Sequence, residues 1–159
     1  MDFYCQNKEV FMYLNLQDIE NKIKELLSII DRGVEKEYRV ENDNLFFQQS
    51  NENYLPGTYV YVDEKGYHID YVGDRGGIVD KKMYTVIEDM FFQLCWEKVS
   101  SISIKFASKN REKGKDWRRI MFNKRLELLK MTNNNYYEQG KEIINSILAE
   151  NPYNDTLLG

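Results

Sequence analysis

Between Met83 and Phe106 the apolar residues Met83, Val86, Ile87, Met90, Phe91, Leu94, Cys95, Val99, Ile102 and Phe106 recur at spacings of three and four. Such a stripe, sustained for about six turns, predicts a long helix with one buried face. Phe92, Trp96 and Ile104 lie off the stripe, so this helix is expected to be covered on two sides. It therefore forms the centre of the predicted core, and the rest of the chain must supply what packs around it.

Other elements follow from local pattern. Ile19, Ile23, Leu26, Leu27 and Ile30 make a helical stripe over about Leu16 to Ile30, with Asn15 placed to cap it and Asp31-Arg32-Gly33 to close it. Short strands are expected at Glu37 to Val40 and Leu45 to Gln48, around the turn-rich Glu41-Asn-Asp-Asn44. Thr58 to Val62 and Tyr67 to Val72 read as a hairpin joined by Asp63-Glu-Lys-Gly66, with a type I turn and a left-handed glycine. Gly73-Asp-Arg-Gly-Gly77 is a second turn, leading to a strand from Ile78 to Lys81. Two more helices are expected, at about Asp116 to Met131, capped by Asp116, and about Asn134 to Ala149, ending before Pro152. The fold class is α+β: an N-terminal helix, a small antiparallel sheet with a central hairpin, then three C-terminal helices. With 159 residues and no linker or repeat, the chain reads as a single domain over 1–159.

Several function classes find no footing in these residues. There is no Walker loop, no GxGxxG behind a strand, no GxSxG elbow and no HExxH. His68 is the only histidine, which excludes a histidine-based metal cluster. It alternates with Tyr67 and Ile69 and so stands on the opposite sheet face, either as a hydrogen-bonded surface histidine or as an interface or general-base residue. Cys95 sits in the core stripe and reads as a small buried hydrophobe, and two cysteines make no disulfide framework. The expectation is a chain with no cofactor, no metal and no enzymatic activity. With no secretory signal and no membrane-spanning stretch, a cytoplasmic setting is expected.

The net charge is -4, but it is unevenly placed. Lys105 to Lys130 carries ten Lys or Arg against three acids, a local +7, leaving -11 on the remainder. That distribution suits electrostatic steering of a charged partner, or simply two solvated helix faces joined by a polar loop. A nucleic-acid-binding module built on 105–130 is the alternative reading, but aromatic interleaving there is thin (Phe106, Trp117, Phe122) and the acidic remainder repels phosphate.

Three segments carry a family resemblance. Gly66-Tyr67-His68 followed by Asp74-Arg75-Gly76 resembles the strand-and-turn motif of the immunity protein 63 family, in which glutamate usually stands where Asp74 does. Val86-Ile-Glu-Asp-Met-Phe-Phe92 resembles the helix that follows. Asp116-Trp117-Arg118-Arg119, continuing to Leu126-Glu-Leu-Leu129, resembles that family's Asp-aromatic-Arg-Arg helix, and Asn151-Pro-Tyr-Asn-Asp155 its tail. The similarity runs over about 57–155.

The resemblance implies a bacterial immunity protein of a polymorphic toxin system, binding one cognate toxin protein tightly and stoichiometrically. The family-motif residues Tyr67, His68, Asp74, Arg75, Arg118 and Arg119 become candidates for the toxin interface, with Gly66, Gly76, Asp116 and Trp117 as structural motif residues. Tyr59, Tyr61 and Tyr71 join them as tyrosines expected to be exposed near the hairpin. Arg118 has a second reading, as the partner of Asp74 or Asp89 in a structural ion pair. The oligomeric state is not set by any of these features.

Overall fold

The computed structural model describes residues 15–41, 44–50 and 55–156; Cys5 and part of the turn after Val40 lie outside them. The element order is helix α1 (Leu16–Arg32), a short 3-10 helix (Lys36–Tyr38), strands β1 (Leu45–Phe46), β2 (Gly57–Asp63), β3 (Gly66–Val72) and β4 (Ile78–Tyr84), then helices α2 (Ile87–Lys109), α3 (Arg118–Thr132) and α4 (Asn134–Glu150). This is the α+β order expected. No described helix is long and apolar enough to cross a membrane. The described residues fall into two compact units, divided at Lys24/Glu25, Val40/Glu41 and Phe91/Phe92, so that two of the three divisions lie inside α1 and α2.

The first unit holds the sheet, in strand order β1-β2-β3-β4. Strands β2, β3 and β4 are antiparallel, with Tyr61 opposite His68 and His68 opposite Met83. Strand β1 pairs with β2 in parallel, so that edge departs from the antiparallel sheet expected, and it spans two residues rather than Leu45 to Gln48. The hairpin also zips further than its sequence suggested. Asp63 pairs with Gly66, leaving Glu64 and Lys65 as the loop, and the Asp63 carboxylate accepts the Lys65 and Gly66 N–H groups. Gly66 is not in the left-handed helical region; its φ is +149° and a Cβ there would lie 2.6 Å from the Tyr84 carbonyl oxygen. Only glycine allows that backbone approach. Val60 and Ile69, neighbours across β2 and β3, are fully buried.

The second unit is helical. Helix α1 contributes its second half to this unit and its first half to the other: Asn15 caps it by accepting the Asp18 N–H (2.9 Å), and the stripe Ile19, Ile23, Leu26, Leu27, Ile30 is buried throughout. The strand expected at Glu37 to Val40 is absent. Tyr38 is instead held edge-on against Phe106 (4.9 Å between ring centres) while its hydroxyl accepts from Asn110, and i→i+3 bonds from Tyr38 and Arg39 wind the segment. Alternation without a neighbouring strand gives no ladder, so side-chain packing decides the conformation.

Helix α2 begins at Ile87 rather than Met83, which belongs to β4; Met83 and Val86 are more than half exposed. Ile104 is exposed as well, so cover on a second side extends to Phe92 and Trp96 only. Ala107, Met121, Phe122 and Ile144 form a buried cluster, with Trp96, Trp117, Ile120, Leu126, Leu148 and Tyr153 packed against it. Helix α4, capped by the Asn133 side chain, turns Tyr136, Gly140 and Ile144 inward. Gly140 marks that face: a Cβ there would lie 2.5 Å from Leu129 Cδ1 and 3.2 Å from the Trp96 ring.

Candidate functional site

The hairpin assembles a row of side chains across one sheet face. Because Tyr61, His68 and Met83 occupy opposed register positions, they point to the same side. The Tyr61 and His68 rings stack with 4.6 Å between centres and 5° between planes. His68 Nε2 lies 2.7 Å from Asp63 Oδ1, and that hydrogen bond, with the two backbone donors of the loop, holds the Asp63 carboxyl below the usual carboxylate range. Tyr61 donates to Asp70 Oδ2 (3.0 Å), which also accepts from Ser50 Oγ (2.6 Å). Burial first, then the Asp70 carboxylate, pushes the Tyr61 hydroxyl up to about 12. Asp70 itself is buried, and its Oδ1 has no hydrogen-bond partner among the described residues. This network fixes the His68 ring and leaves Met83 exposed beside it.

The remaining hairpin candidates divide by burial. Tyr59 and Tyr67 are core residues, 1% and 3% exposed, so the expectation of exposed tyrosines fails for both. Strand alternation explains Tyr67, which shares its face with the fully buried Ile69. Tyr59 is tied down separately, stacked on Phe46 and donating its hydroxyl to the Leu55 carbonyl. Tyr61 and Tyr71 are half-buried. Asp74 and Arg75 are exposed at the tip of the Gly73–Gly77 turn, which closes through Gly73 N–H to the Gly77 carbonyl. Gly76 and Gly77 both adopt left-handed φ near +80°, as a turn this tight requires.

The second motif, Asp116-Trp117-Arg118-Arg119, is a clasp. The Asp116 carboxylate is buried and accepts the Arg118 N–H, the Arg118 guanidinium and the Asn154 N–H. The Arg118 bonds come first in holding it far below the usual carboxylate range. Arg118 also donates to the carbonyls of Asn151 (2.9 Å) and Pro152 (2.8 Å). Its ion-pair partner is thus Asp116, in place of the Asp74 or Asp89 suggested by sequence. Arg119 holds Asp155 with two bonds and lies 4.2 Å from the centre of the Tyr153 ring, while Asp155 accepts the Asp116 N–H. Trp117 packs on the helical cluster under Arg111. The two segments Asp116–Arg119 and Asn151–Asp155 therefore form one structure, and both arginines are committed within it. The carboxylate–guanidinium pairing that joins the two segments has no short-range signal in the sequence.

Arg125 was also missed as a special residue. It is 6% exposed, gives one hydrogen bond to Ser103 Oγ (3.2 Å), and lies between the Trp96 and Phe122 rings at 4.9 and 5.4 Å. Burial lowers its pKa to about 10. No group of His, Cys, Asp and Glu among the described residues could hold a metal ion.

These motif residues define a class as much as a geometry: an α+β chain whose hairpin, turn and Asp-Trp-Arg-Arg segment follow the pattern of an immunity-protein family. The sequence model of the immunity protein 63 family matches residues 63–146, more than half of the chain, and the chain belongs to that family. The match takes in the hairpin from Asp63, the turn and Asp116–Arg119; the tail at Asn151–Asp155 lies beyond it. No curated protein and no solved structure matches the chain.

Proposed function

We propose that this protein neutralises a cognate toxin of a polymorphic toxin system by tight, stoichiometric binding, without catalysis, in the cytoplasm of the bacterium that makes the toxin. Membership of the immunity protein 63 family carries this reading. Action as one domain over 1–159 is part of the proposal.

The side-chain arrangement supports some interface candidates over others. Arg118 and Arg119 are occupied by Asp116, Asp155 and the tail, and Tyr67 is core, which favours a structural role for these three. The candidates left for contact are His68 with its stacked Tyr61, and the exposed Asp74 and Arg75. The prearranged Tyr61–His68 pair near the Asp63–Gly66 loop and the exposed Arg75 in the turn at the other end of β3 are two separate anchor candidates, in keeping with the few-anchor pattern of tight interfaces. The nucleic-acid alternative weakens for the same reason: Arg118, Arg119 and Arg125 are all engaged internally, and Lys115 and Lys124 pair with Glu112 and Glu127.

The test is to co-express the chain with the product of the adjacent toxin gene. The expected result is a co-purifying complex and rescue of growth. Arg75→Ala or His68→Ala should weaken capture by about 1 kcal/mol or more, with the thermal midpoint of the free chain little changed for Arg75→Ala. No complex and no rescue would sink the proposal.

A further inference from the structure

Strand β4 forms one edge of the sheet, and no described strand pairs with its outer side. It is seven residues long, against two for the opposite edge strand β1. Three large exposed apolar side chains, Val79 (69%), Met83 (54%) and Val86 (53%), lie in it or just after it. The Lys81 N–H donates to the Asp80 carboxylate (2.9 Å), so a local side chain serves a donor that a neighbouring strand could take. An edge of this length, apolar and lacking proline, is a site for strand pairing.

We propose that β4 pairs antiparallel with β4 of a second copy of this chain. The strand Ile78-Val-Asp-Lys-Lys-Met-Tyr84 is self-complementary in one register. With Lys81 on the two-fold axis, Asp80 of each copy faces Lys82 of the other, Val79 faces Met83, and Ile78 faces Tyr84. A two-fold arrangement uses each favourable pair twice. Moving the register by one residue, so that Asp80 faces Lys81, sets Val79 against Lys82 and loses the apolar pair. The Asp80 carboxylate, released from the Lys81 N–H as that group meets the second strand, is then free to take the facing Lys82. Lys81 meets its own copy at the axis, a like-charge contact that weakens the pairing. The bulge at Val79 limits the regular ladder to Asp80–Tyr84. The association is therefore modest and concentration-dependent, well below the ~1,600 Å² of a standard stable interface. This inference is independent of the toxin reading.

Sedimentation of the full chain from about 1 μM to about 1 mM should show a monomer–dimer equilibrium. Asp80→Lys alone and Lys82→Asp alone should each raise the dissociation constant about tenfold, and the double swap should restore it. Lys81→Thr should tighten the dimer. Circular dichroism establishes that each variant folds. A monomer throughout the range, or a double swap that fails to restore association, overturns the proposal. So does a chain that stays monomeric while the single swaps weaken toxin capture, which would assign the edge to a strand of the toxin instead.

Discussion

Arg125 shows how much a single residue can hide. Its guanidinium is removed from water with no ion-pair partner among the described residues, and one serine hydroxyl and two aromatic faces compensate in part. The lowered pKa records the direction of the imbalance: the cation is less favoured here than in water. The stem packs against the cluster, so its shape and its charge act oppositely. Arg125→Met, which keeps the volume and drops the charge, is expected to leave the unfolding free energy within about 1 kcal/mol of the parent or above it. Arg125→Ala also empties the space and should cost about 2–4 kcal/mol. Urea denaturation of the two variants measures this; equal large losses would mean that the charge itself is needed. In sequence this arginine is one of ten cations in a basic run, and nothing local separates it from the solvated ones.

At the scale of elements, the clasp fixes the chain beyond α4. The Asn151–Asp155 segment has no secondary structure of its own and is held by Asp116, Arg118 and Arg119. Arg118 reaches two carbonyls and a carboxylate at once, a fork that a lysine ammonium does not reproduce. Arg118→Lys should therefore release the segment almost as fully as Arg118→Ala. The expected outcome is loss of amide protection at Asn154 and faster proteolysis after Pro152, with the α2–α4 amides still protected. Retained protection at Asn154 in both variants would show that the Arg119–Asp155 bonds, the Asp116 carboxylate and Tyr153 packing hold the tail without Arg118. The helices themselves were legible in sequence because their stripes are long. The 3-10 helix at Lys36–Tyr38 and the start of α2 at Ile87 were not. A short alternating run and an apolar strand abutting an apolar helix each fit two periods equally well.

For the whole molecule, acid is the informative variable. Asp63, Asp116 and Asp155 are each held below the ordinary carboxylate range by a hydrogen-bonded partner, His68, Arg118 and Arg119 in turn. A carboxylate with a lowered folded pKa stabilises the fold fully above its unfolded value, about 4, and that contribution disappears as pH falls through the folded value. Unfolding free energy should thus be flat near neutrality and decline below about pH 4, Asp116 releasing its share last. Denaturant midpoints between about pH 2 and pH 8 test the sign, and Asp116→Asn should flatten the lowest part of the profile. Stability that rises on acidification would contradict it.

The sequence by itself determined the α+β order, the N-terminal and C-terminal helices and the placing of the hairpin, because period, caps and glycines act over a few residues. It also carried the family, through motifs short enough to read in order. The tertiary structure alone decided what the motif residues do. Burial moved Tyr59 and Tyr67 from candidate contacts into the core, and partners 36 and 39 residues away turned Arg119 and Asp116 from possible contacts into a clasp. Desolvation and ion pairing depend on what the folded chain brings within a few ångströms, and no local pattern encodes that distance.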